Sequence, residues 1–167
     1  MDSKPVETVQ KSPQDFRYDF ILSYVIKEST EFTKRLRDSL KRRKYRVFVG
    51  EETLQIGMDW PLTLTMAIES CHIFVPIITP SYTHTEWTRR ELSLTDSFNK
   101  EREKAQDKIQ FFPVMLDRNK TYPRFAKIYL TTLQWQDFTG NLDDKEFERR
   151  VDSFCSEATK NWICPER

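Results

Sequence analysis

Glycine is almost missing from this chain: three residues in 167, at positions 50, 57 and 140. Glycines so widely spaced cannot form a G-x-G-x-x-G dinucleotide fingerprint or a phosphate-binding P-loop. A dinucleotide would therefore be taken in a cleft as substrate, not held as a resident cofactor. Cysteine is also scarce, and Cys71, Cys155 and Cys164 form no C-x-x-C pair. This pattern suggests neither a disulfide framework nor a zinc site, and it suits a reducing, cytoplasmic compartment. The two histidines, His72 and His84, have no matching metal or nucleophile set. Lys+Arg 27 against Asp+Glu 26 leaves a net charge of +1, so no single-sign field recruits nucleic acid or acidic membranes. Lys41-Arg42-Arg43-Lys44 is the one basic run, and it suits the negative end of a helix. No stretch approaches the ~20 apolar residues that span a bilayer, and Met1 to Gln14 has no apolar core of a signal peptide. These absences describe a soluble, cytoplasmic protein without resident metal. Residues 1–16 are expected to be a flexible lead-in, and 17–164 a single domain.

What is present is alternation. Tyr18-Asp19-Phe20-Ile21-Leu22-Ser23-Tyr24 and His72-Ile73-Phe74-Val75-Pro76-Ile77-Ile78-Thr79 are nearly continuous apolar runs, the pattern of strands covered on both faces. Shorter strands are expected over 45–49, 109–116 and 133–138. Pro76 argues mildly against a central position because it cannot donate to a ladder. Between the strands lie helical patterns. Phe32, Leu36 and Leu40 stripe the first, Leu64, Ile68 and Cys71 the second after Pro61, and Phe147, Val151, Phe154, Ala158 and Trp162 the last. A further helix opens at Thr85, a short one spans 124–130, and the charged stretch 99–108 is expected in solvent.

Strands alternating with helices call for a doubly covered parallel sheet. Five units in this length predict a flavodoxin-like α/β fold with strand order 2-1-3-4-5. Ligands of such sheets bind at the carboxyl ends of the first and third strands, where the order reverses. Three stretches converge there: Ser23-Tyr24, the loop from Gly50 to Asp59, and the helix beginning Thr85-Glu86-Trp87-Thr88-Arg89-Arg90-Glu91-Leu92. On that helix Trp87 and Glu91 are one turn apart on one face, and Glu91 is the obvious acid of the crevice.

These same residues resemble the Toll/interleukin receptor (TIR) domain family. Tyr18 to Tyr24 resembles its first box, Leu54 to Gly57 its second-strand loop, and Ser81-Tyr82 followed by Trp87 and Glu91-Leu92 its third helix. One branch of that family cleaves NAD+ at the nicotinamide glycosidic bond, and another only assembles with other TIR domains. The resemblance implies Glu91 as the catalytic carboxylate, with NAD+ as substrate and no bound cofactor. It implies an assembly loop at Glu51, Glu52, Leu54 and Gly57 and activity dependent on self-association in immune or cell-death signalling. The proline-free loop is more similar to enzymatic members, whereas Gly50, Val25 and Ile26 depart from the family's usual residues. Tyr24 and Trp60 fit either stacking on a substrate ring or core packing. Ser23 either bonds the ribose or finishes its strand, Arg90 either meets a phosphate or is solvated, and Trp87 either lines the pocket or packs behind Glu91. The non-catalytic interaction module is the competing reading.

Overall fold

The computed structural model describes residues 18–50, 57, 59–131 and 133–160, with Trp60 described by its backbone alone. The lead-in, Glu51, Glu52, Leu54 and Trp162 lie outside the described residues. The first apolar run forms β1 (Tyr18–Ser23), followed by α1 (Ile26–Arg42), β2 (Val47–Val49) and α2 (Trp60–Glu69). Then come β3 (Cys71–Ile78), α3 (Glu86–Glu101), β4 (Gln110–Phe111), β5 (Val114–Met115), α4 (Arg124–Leu130), β6 (Gln136–Asp137) and α5 (Asp144–Thr159). All pairings are parallel, in the order β2-β1-β3-β5-β6, with β4 pairing β3 alone.

The order is the expected one, but the fourth strand is two short pieces, the second and last strands are shorter than expected, and Cys71 opens β3 instead of ending the stripe of α2. The registers Phe74↔Phe111 and Ile77↔Val114 set Pro76 opposite Pro113. Phe74 and Ile78 turn their carbonyls toward the fourth strand, accepting from Phe112 and Leu116 N–H at 3.0 and 2.9 Å, so Pro76 faces it with no donor. Pro113 turns its carbonyl to the last strand, accepting from Gln136 N–H at 3.0 Å, and it too has no N–H to add. The ladder is interrupted on both sides at one level.

Alternation along the strands divides the core into two layers. Phe20, Leu22, Ile73, Val75 and Ile77 pack under α1 and α5 with Leu36, Leu40, Phe147, Val151 and Phe154. Ile21, Phe74 and Ile78 pack under α2, α3 and α4 with Leu64, Ile68, Leu92, Ala126 and Leu130. The charged stretch 99–108 is not wholly solvated. Asn99 exchanges two hydrogen bonds with the Ile109 main chain, and Arg102 donates to Glu69 O and Asp107 O. Among the described residues no helix is long and apolar enough to cross a membrane.

Candidate active site

Helix α3 begins where the sequence expects. The Thr85 hydroxyl accepts from Thr88 N–H, and Glu86 sits in the positive first turn. Its inward stripe is Thr88, Glu91, Leu92 and Thr95, a helical spacing that places a carboxylate among buried residues. Glu91 is only 3% exposed. Burial pushes its carboxyl up to about 8, opposed by the hydrogen bond it accepts from Ser23. That bond is 3.1 Å long, from Ser23 Oγ to Glu91 Oε1.

Ser23 ends β1 at an odd position, so it faces the α2–α4 layer, beside Ile21 and across from Pro76. The structure brings Ser23 and Glu91 together at the carboxyl ends of β1 and β3. It also adds Tyr82, which sequence reasoning places in a turn and in the family resemblance but gives no role at the site: its hydroxyl lies 2.7 Å from Ser23 Oγ, fully buried. The available signal is that Tyr82 is the single aromatic between Pro80 and Glu86, in an otherwise polar turn. Glu28, in the first turn of α1, is a second carboxylate at this edge and corrects the picture of Glu91 as its lone acid. It accepts from Ser81 N–H at 3.2 Å. Partial burial opposes its ionisation, but hydrogen bonding at Ser81 and the nearby His84 hold it below the usual carboxylate value.

The other expected residues are dispersed. Tyr24 packs against the α1–α5 layer, on the opposite face from Ser23. Trp87 packs against the layer that holds Leu92, half-buried one turn before Glu91. Arg90 is exposed and paired with Glu86. Its neighbour Arg89 donates to Thr83 O at 2.5 Å and lies 5.4 Å over the Phe125 ring. Of the four residues expected to form an assembly loop, only Gly57 is described. It is exposed at φ +87°, in the left-handed region that glycine occupies without strain. No group of three or more His, Cys, Asp or Glu side chains among the described residues is placed to hold a metal.

A family model described as the TIR domain matches residues 20–152. The chain belongs to the TIR family. Among curated relatives of this TIR domain, 2' cyclic ADP-D-ribose synthase BtTIR of Bacteroides thetaiotaomicron is 24% identical over 92 residues. The match covers 55% of this chain and 32% of that protein, so this TIR domain spans about a third of the relative's length. Among solved structures, the TIR domain of the Toll-related receptor TRR-2 from Hydra magnipapillata superposes with a TM-score of 0.61 at 17% identity. That likeness covers 86% of this chain and 99% of the other. The TIR-STING receptor from C. gigas, in complex with 2',3'-cGAMP, gives 0.62 at 19% identity, over 90% of this chain and 41% of that one. At these identities the structural likenesses speak for the fold.

Proposed function

We propose that this TIR domain cleaves NAD+ at the bond between nicotinamide and ribose, with Glu91 as the catalytic carboxylate. The observation that carries the reading is an acid in the inward stripe of α3, at the carboxyl ends of β1 and β3. A distant relative named as a cyclic ADP-ribose synthase supports it.

The chemistry needs one carboxylate. When the glycosidic C–N bond breaks, its electron pair neutralises the pyridinium, so nicotinamide leaves without a proton. Positive charge grows on the ribose, and an anion held ready for it stabilises the transition state. Water then adds to the ribosyl carbon and releases a proton, giving ADP-ribose; capture by a hydroxyl of the same molecule gives a cyclic product. Glu91 is largely protonated near neutral pH in the free protein. The cationic nicotinamide ring of the substrate, arriving beside it, favours the ionised form that the reaction uses. Self-association of several copies through the loop at Glu51, Glu52, Leu54 and Gly57 belongs to the same reading, as does a role in innate immune or cell-death signalling.

Near-complete burial of Glu91 favours a second reading, an interaction module in which the carboxylate only completes the α3–β1 packing. Nicotinamide release from NAD+, followed with wild type and Glu91→Ala across a concentration series, separates the two. The enzyme reading expects release that rises faster than linearly with protein concentration and falls about a thousandfold in the variant. Equal turnover in both proteins removes Glu91 from the mechanism; no release at any concentration leaves the module.

A further inference from the structure

Tyr82 heads the largest fully buried side chains among the described residues, and it carries a hydroxyl. A buried phenol needs a partner, and it has Ser23 Oγ at 2.7 Å. Ser23 is itself 1% exposed and has a single proton to give. When Glu91 is ionised it can only accept, so Ser23 donates to Glu91 and Tyr82 donates to Ser23. Protonating Glu91 either reverses this chain, leaving the phenol proton without its acceptor, or replaces the anion at its end by a neutral oxygen. Both outcomes weaken it.

The turn that presents Tyr82 is braced against α3. Tyr82 N–H donates to Thr79 O at 3.0 Å. Thr83 sits at φ +74°, a strained value for a β-branched residue. Its N–H donates to Thr88 Oγ1 at 3.0 Å and its carbonyl accepts from Arg89. Tyr82 and Glu91 thus belong to one turn-and-helix unit, and Ser23 joins that unit to the sheet.

We infer that Tyr82 is a positioning residue: through Ser23 it aims the Glu91 carboxyl and sustains its anionic form, so Ser23 serves Glu91 rather than the substrate. The inference rests on Glu91 having the role proposed above. Tyr82 is the titratable group facing Glu91. From α2 and α4 this layer receives the apolar Leu64, Ile68, Ala126 and Leu130, and the Tyr129 phenol of α4 is paired with Ser93 Oγ at 3.3 Å. Arg89 and Arg90 on α3 are turned to Thr83 and Glu86, and Glu28 on α1 is bound to Ser81.

The test is a carbon-13 NMR titration of the Glu91 carboxyl in wild type, Tyr82→Phe, Ser23→Ala and Ser23→Thr, with the signal assigned by Glu91→Gln. Tyr82→Phe is expected to raise the midpoint by about one pH unit, Ser23→Ala by more, and Ser23→Thr to stay near wild type. In parallel, kcat/KM for nicotinamide release at pH 7 should fall about tenfold in Tyr82→Phe and recover as pH rises, with KM within about twofold. A purely structural tyrosine would lower activity equally at every pH. An unchanged midpoint in folded Tyr82→Phe overturns the inference. If that variant does not fold, equal midpoints in Ser23→Ala and wild type do so instead. Wild type that releases no nicotinamide refutes the reaction alone, because the titration still judges the chain.

Discussion

Replacing Glu91 by Gln should strengthen the fold while removing the chemistry. Glutamine matches the carboxylate in shape and still offers Ser23 an acceptor, so packing is retained and only the charge goes. Burial raises the carboxyl from 4.5 to about 8, and at about 1.4 kcal/mol per pH unit, ionising it inside the fold costs about 5 kcal/mol. Between those two values the folded state binds more protons than the unfolded chain, so wild-type stability falls as pH rises through that window. Below 4.5 the penalty is absent; above 8 it is complete. Water reaching the site on relaxation would halve the figure, so a gain of about 2–5 kcal/mol is expected for Glu91→Gln at pH 9, shrinking to under about 1 kcal/mol at pH 5. Urea denaturation of both proteins at pH 5, 7 and 9 measures this, and the other carboxylates cancel in the difference. A difference that does not change with pH, or a variant less stable than wild type at pH 9, refutes the buried-anion argument.

Two further outcomes test other parts of the fold. Thr33 in α1 is 1% exposed and its hydroxyl has no partner among the described residues, so Thr33→Val should be neutral or raise stability by about 1 kcal/mol in thermal unfolding; a loss larger than that would show that the hydroxyl is satisfied. Asp19 is fully buried and accepts from both the main-chain N–H and the guanidinium of Arg46, at 2.7 and 2.9 Å. Asp19→Ala should therefore cost about 2–3 kcal/mol by the same assay, and a change below about 0.5 kcal/mol would mean solvent replaces the carboxylate freely.

The elements easiest to read in the sequence are those whose periodicity has one cause. β1 and β3 are buried on both faces, and their continuous apolar runs have no competing explanation. Thr85 marks the start of α3 because a hydroxyl before a helical pattern has a defined job, and Arg124 to Leu130 is found on spacing alone. The fourth strand misled for a physical reason: Ile109 to Leu116 is apolar throughout, yet hydropathy does not register that Pro76 and Pro113 are aligned across the ladder. That alignment depends on register between residues far apart in sequence. Tyr82 was hidden similarly, since nothing local reveals that a turn aromatic is swallowed whole and paired with a serine from another strand. Tyr24 and Ser23 show the reverse. They are adjacent in sequence, and backbone alternation alone sends them to opposite faces.

The aligned prolines have a consequence for how the molecule comes apart. A sheet normally resists partial opening because each strand is stitched to the next along its whole length, and here the stitching stops at Pro76 and Pro113. The piece made of β5 and β6 meets β3 only beyond that level, at Ile77 and Ile78, so its hold rests on that short ladder and on the burial of Val114 and Met115 in the two core layers. Ser23 stands at the level of that gap, paired with Pro76 on the other side of β3. The break in the ladder therefore borders the strand pair that carries the serine partner of Glu91, and Met115 of β5 shares a core layer with Tyr82, so the last-strand edge and the acid are neighbours in the packing.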